Sequence, residues 1–205
     1  MTIDYRSFMQ DNFFIKNKEG IIVPMLFNPV QNLVYDSWLE EWGEELQGIR
    51  ENDLKGRQFG ISSLIEGIFA TDFILSELKE IPIVDSDVYS HIDKETKAHT
   101  DRFNLYLESY LMQDQGAGIE DMETPEGMKA RDAFRKSFLK TDNGNYIESK
   151  RGALYHSQTA SAKVSGRGGT KQNIHWTEPA FYPNTDILNA KELMTGAEKQ
   201  VPLGR

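Results

Sequence analysis

At 205 residues the chain has enough material for one well-buried core and too little for two ordinary domains, so a single domain is expected. Hydrophobic residues make up 39% and charged residues 27%, which excludes the low-hydrophobicity class of disordered chains, and the lack of cysteine excludes disulfides, thiolate metal sites and a cysteine nucleophile. A formal net charge of -9 argues against this chain alone wrapping a nucleic-acid backbone, since neutralising phosphates takes clustered Lys and Arg. No apolar run approaches the roughly 18 residues of a membrane span. The opening MTIDYRSFMQDNFF is acidic early and lacks an apolar segment, so it does not read as a signal peptide and a cytosolic protein is expected.

In chain order, 13–16 and 21–27 are β-prone runs separated by NKEG and predict a β-hairpin. Asn28 followed by Pro29 predicts a capped helix start, with Val30, Leu33, Val34, Trp38, Leu39 and Trp42 at helical spacing as far as about Gly48. A second amphipathic helix is predicted over about 62–78, through Leu64, Ile65, Ile68, Phe69, Phe73 and Leu75. The run IPIVDSD predicts a short buried strand, and Asp93 a third helix through Phe103, Leu107, Tyr110 and Leu111. Residues 113–127 lack periodicity and predict a mobile surface loop; 128–139 predicts a short helix; NYIES and GALYHSQTA predict strands. A glycine-rich loop, SGRGGTK, carries the basic grouping of Lys163, Arg167 and Lys171, read equally as a local anion grip or a solvated loop. A last strand over 173–178 is followed by PAFYPN and a helix over about 186–195. The alternation of helix and strand points to an α/β sheet. The aromatics at helical spacing read as core, and His91, His99, His156 and His175 have no HxxxH or HxH spacing that would mark a zinc site.

The segment LKGRQFGISSLIEGIF carries the most chemistry, because a glycine turn runs straight into an amphipathic helix, the geometry that offers backbone amides and a helix N-terminus to an anion. Against the pattern G-x-x-x-x-G-K-[ST], Gly60 and Ser62 are in place, Ile61 stands at the lysine position and Lys55 at the first glycine. A lysine opening the loop reaches the same phosphates from the other side.

KGRQFGISS resembles the deviant Walker A motif of the large terminase subunits of tailed phages, of the form K-x-R-Q-x-G-x-S-[ST]. FFIKNKEGIIVPMLFNPVQ resembles the segment that precedes it there, ending in a Q motif at about 27–31, and NIHWTEPAFYPN resembles the Walker B region, at about 173–184. The resemblance implies an ASCE-type P-loop NTPase fold with a mostly parallel sheet flanked by helices. It also implies an ATPase that moves double-stranded viral DNA into a procapsid, using ATP and Mg2+. The implied partners are the portal protein, the small terminase subunit and further copies in a ring, with no membrane, in the host cytoplasm at the portal vertex.

By the same resemblance Lys55 binds the β and γ phosphates, Gly56, Arg57, Gln58, Phe59, Gly60, Ile61, Ser62 and Ser63 form the cradle around them, and Ser62 coordinates magnesium. Gln31 reads adenine with its side-chain amide, Glu178 orients the attacking water, and Arg57 or Arg167 acts as the arginine that offsets γ-phosphate charge. On the bare sequence Gln31 reads equally as a first-turn helix residue, Glu178 as a surface residue before Pro179, and Arg167 as a solvated loop residue. Two departures stand out: GIRENDLK is polar where a buried strand is expected, and Thr177 occupies the usual Walker B aspartate position. The family pattern further implies that VPLGR ends the chain before the coupling strand and the nuclease domain. Another P-loop ATPase of helicase-like type, or a non-enzymatic nucleotide-binding fragment, remains open as a reading of the same residues.

Overall fold

The structure, a computed structural model, describes residues 3–44, 46, 49, 59–114, 116, 118, 121, 123–160, 170–182, 191 and 194–195. It is a mixed α/β fold. After α1 (Tyr5–Asn12) come the antiparallel strands β1 (Phe14–Lys16) and β2 (Ile22–Pro24), the expected hairpin. Next are α2 (Pro29–Trp42), α3 (Ile61–Glu77), β3 (Asp85–Ser90), α4 (Asp93–Asp114) and α5 (Pro125–Phe138). The antiparallel pair β4 (Leu139–Asn143) and β5 (Tyr146–Ser149) leads to β6 (Leu154–Thr159) and β7 (Asn173–Trp176), which ends in a 3-10 turn, Pro179–Phe181. Helix α1 and strand β4 carry no strong signal in the sequence and were not expected. The helix expected over 186–195 and the polar stretch before the glycine loop lie largely or wholly outside the described residues.

The main sheet has the order β4-β5-β6-β3-β7. β3 runs parallel to both β6 and β7, whereas β5 is antiparallel to β4 and β6. The sheet is therefore mixed, where a mostly parallel one was expected. A short turn joins β4 to β5 and another joins β5 to β6, and such connections admit only antiparallel pairing.

The strand expected over IPIVDSD forms later, at Asp85–Ser90. Pro82 can donate no ladder hydrogen bond, and its carbonyl instead accepts from Ser76 Oγ at 2.7 Å. The observed strand buries polar residues because partners meet them. Asp87 Oδ2 accepts from Tyr89 Oη at 2.7 Å and Gln158 Nε2 at 3.0 Å, and Lys171 Nζ lies 2.7 Å from Asp85 and 3.1 Å from Asp87. Lys171 is thereby removed from the expected basic grouping, whose other members, Lys163 and Arg167, fall outside the described residues.

Helices α3 and α4 pack on one face of the sheet, with α1 against both. Phe103 of α4 stacks on Tyr155 of β6 at 3.7 Å between centroids, and Phe13 on Tyr106 at 4.9 Å. α3 is buried nearly all round, its polar Glu66, Thr71, Asp72 and Ser76 included. Its Gly67 lets α1 come close, since a Cβ there would fall 2.4 Å from Met9 Sδ. On the opposite face Tyr89, Ala160 and Tyr182 form a small cluster with Ile174 and Trp176.

Asp72 ties α3 to α1 and β7: it accepts from Tyr5 Oη at 2.7 Å and from Asn173 Nδ2 at 2.8 Å. Burial outweighs these two hydrogen bonds and pushes its carboxyl up from 3.8 to about 6. A carboxyl that holds its proton more tightly in the fold than in the unfolded chain contributes stability that is full below about pH 4 and lost as pH rises through about 6. Two units correspond to on the order of 3 kcal/mol. Asp72→Asn, which keeps the shape without the charge, is therefore expected to raise stability to urea at about pH 7.5 and to leave it little changed at about pH 4. A variant less stable than the parent at the higher pH would show that the charge itself is used.

Candidate functional site

β3, β6 and β7 are parallel, so their C-terminal ends share one edge of the sheet. α3 runs antiparallel to them. Asp72, late in α3, meets Asn173 at the start of β7, while Glu66, nearer the start of α3, meets His99, whose ring lies 6.4 Å from that of His175 further along β7. The N-terminus of α3 therefore points toward the edge where β7 delivers Glu178, the strand-end side at which open α/β sheets place ligands.

Gly60 caps α3 in the left-handed region with φ 76, a conformation that favours glycine. The cap has no side chain, and the first turn holds no acidic residue, so among the described residues no side chain of the helix's own start neutralises its positive pole. Ile61, at the usual lysine position, is 2% exposed and belongs to the core; Phe59 is 43% exposed. Ser62 and Ser63 are half-buried in the first turn, and the Ser63 carbonyl accepts from Tyr106 Oη at 3.1 Å.

The loop exit is wired to the start of α2. Asn28 Nδ2 donates to the Phe59 carbonyl at 3.1 Å and Gln31 Nε2 to the Gly60 carbonyl at 2.9 Å. In a capping box, Asn28 Oδ1 accepts from the amides of Val30 and Gln31, and Gln31 Oε1 accepts from the Asn28 amide at 3.0 Å. The expected adenine reader, Gln31, is thus 5% exposed and spends both ends of its carboxamide on protein groups. A Cβ at position 60 would lie 2.9 Å from Gln31 Nε2, so glycine there serves the backbone turn and this contact together.

Glu178 follows β7 with φ 49 and ψ 51, left-handed backbone uncommon outside glycine. Its Oε2 lies 3.7 Å from His91 Nδ1, and the same nitrogen is 2.9 Å from Glu95 Oε2. Thr177, at the usual aspartate position, is buried; its amide and hydroxyl both donate to the Tyr89 carbonyl, at 2.8 and 3.1 Å. Tyr182 Oη donates to the same carbonyl at 2.7 Å, anchoring the turn Pro179–Phe181 that precedes it.

Beneath the helix start lies a buried ionic group that sequence reasoning missed. Glu66 is fully buried, pairs with His99 Nδ1, and accepts from Arg102 Nη1 with both oxygens at 2.8 Å. Burial alone would raise its pKa, but Arg102 and then His99 overcome it and hold the carboxyl below the ordinary range. The i, i+3 spacing of His99 and Arg102 was visible, although their partner on another helix was not. Asn28 was read only as a cap, and the i, i+4 pair of His91 and Glu95 was not singled out.

Of the expected site residues, the structure brings Gln31, Phe59, Gly60, Ile61, Ser62 and Ser63 together at the loop exit and places Glu178 at the strand-end edge. Lys55, Gly56, Arg57, Gln58 and Arg167 lie outside the described residues. Among the described residues no helix is long and apolar enough to cross a membrane. Compared with family models, curated proteins and solved structures, the chain finds no match.

Proposed function

We propose that the chain is an ATP-hydrolysing motor module of the large-terminase type, a P-loop ATPase that drives double-stranded viral DNA into a procapsid. The observation that supports this most is the shared edge: a glycine-capped helix N-terminus without an acidic first turn and a carboxylate at a parallel strand end face the same side of one sheet. The helix end is suited to the phosphates of ATP, and the carboxylate to a water attacking the γ phosphate. Ser62 in the first helical turn would hold Mg2+ against the phosphates, and Lys55 would supply the cation that Ile61, buried in the core, does not. In this reading Gln31 sets the loop exit through Gly60, and any contact to adenine comes from the surface beside it. Arg57 or Arg167 would offset the charge developing on the γ phosphate. The portal protein, the small terminase subunit and neighbouring copies in a ring are the partners this reading implies.

The test is nucleotide binding. Mg2+·ATP is expected to bind the chain, and Lys55→Ala to weaken it by about 10-fold to 100-fold, equivalent to about 1.4–2.8 kcal/mol. Ile61→Ala is expected to lower thermal stability with a smaller effect on affinity, because it removes core volume. Equal affinity in the parent and the Lys55 variant, measured by fluorescence titration, would remove the basis for this reading.

A further inference from the structure

We propose that His91, Glu95 and Glu178 form a binding site for one divalent transition-metal ion. The donors are one imidazole nitrogen and two carboxylates, a mixed set that suits Zn2+, Co2+ or Mn2+, whereas Mg2+ and Ca2+ favour oxygen alone. One ligand atom from each residue lies within 4.8 Å of the others. Bonds of about 2.0–2.1 Å at the tetrahedral angle set ligand atoms roughly 3.3 Å apart. The separations from His91 Nδ1, 2.9 Å to Glu95 and 3.7 Å to Glu178, fall on either side of that value.

A second observation concerns the histidine itself. Nδ1 is buried, and among the described residues it makes no aligned hydrogen bond despite a carboxylate oxygen at 2.9 Å. An oxygen that close but off the N–H axis is placed for sharing a cation, which sits between ligand atoms, more than for sharing a proton.

The three ligands come from three different places, which makes the site a product of the fold. His91 follows β3, Glu95 lies in the first turn of α4, and Glu178 follows β7. The start of α4 is fixed beside them, because Thr96 Oγ1 lies 2.6 Å from Ser90 Oγ and 2.8 Å from Thr159 Oγ1. Three protein ligands leave a fourth position for water or a substrate oxygen. If Glu178 works on water as proposed above, an ion held here withdraws it, so micromolar Zn2+ becomes an inhibitor of turnover.

The experiment uses chain treated with EDTA, in the absence of nucleotide. Co2+ is titrated by its visible absorption and Zn2+ by competition with a chromophoric chelator. One equivalent of each is expected to bind, with His91→Ala and Glu95→Gln each weakening affinity by about 100-fold or more, above the loss usual for outer-shell residues. His156→Ala should bind as the parent does, and melting curves check that each variant folds. Failure to bind one equivalent, or unchanged affinity in folded His91→Ala and Glu95→Gln, overturns the site. ATP affinity is measured separately on the same samples. Metal binding without ATP binding retains this inference and sinks the motor reading; ATP binding without metal binding does the reverse.

Discussion

Glu178→Gln is expected to keep ATP affinity within about threefold and to lower turnover by about 10²-fold to 10⁴-fold, the usual contribution of a positioned general base. Glutamine preserves the size of the side chain and can still accept a hydrogen bond, so contacts that hold the ground state survive. What it loses, on the proposed function, is the charge that would draw a proton from water as that water attacks, an interaction made only in the transition state. The local structure supports this division. The residue stands at the strand end in left-handed backbone, φ 49, with a side chain 36% exposed, so it can meet solvent and substrate. His91, 3.7 Å away, is placed to restrain the carboxylate's direction. Single-turnover kinetics beside a binding titration checks the prediction. A loss of affinity by tenfold or more with turnover per bound ATP preserved would place Glu178 among the structural residues.

Helices with strong local signals were legible in the sequence. Asn28 and Pro29 announced α2 through cap chemistry, and the run from Leu64 to Leu75 announced α3, because both signals are local. The centre of the sheet was not. β3 reads DSDVYS, and Gln158 and Lys171, distant in sequence, join Tyr89 of the same strand in making the buried Asp87 and half-buried Asp85 acceptable in a strand. The expected register of that strand followed apolar Ile81 and Ile83, yet Ile83 is 47% exposed and Pro82 stands between them. The candidate site divides in the same way. Gly60 and the helix start could be found from local pattern, since a glycine turn running into a helix is a continuous piece of chain. His91 beside Glu178 could not, because the histidine and the second glutamate meet only when two parallel strands end at one edge. Gln31 divides likewise: its capping bond with the Asn28 amide is local, while its bond to the Gly60 carbonyl depends on a loop that arrives 29 residues later.

Glu66→Gln is expected to destabilise the fold by about 3 kcal/mol, the low end of what breaking a buried ion pair costs, because Arg102 keeps 30% of its side-chain surface exposed. The loss comes mainly from the partner left behind. Burial by itself lowers the Arg102 pKa, and Glu66 more than offsets it; without the carboxylate a partly buried guanidinium loses the charge that balances it. His99 loses its partner as well. The pH dependence has a defined sign. Glu66 is held below its ordinary pKa, so its contribution is present above the unfolded carboxylate value, near 4.5, and is lost as pH falls through the folded value. The gap between parent and variant in urea unfolding is therefore widest near neutrality and closes in acid. A second variant separates charge from packing. Combining Glu66→Met with Arg102→Met replaces the pair by apolar groups of similar length, and it is expected to recover more than half of the loss, because the unfavourable group in the single variant is the stranded charge. The same network underlies the start of α3, where Tyr106 reaches the Ser63 carbonyl at 3.1 Å. Amide exchange at Leu64, whose N–H donates to the Gly60 carbonyl at 3.0 Å, should then quicken in Glu66→Gln and return toward the parent rate in the double variant. A single variant within about 1 kcal/mol of the parent, or a double variant less stable than the single, would mean that the triad does not hold α3 on α4 by charge pairing.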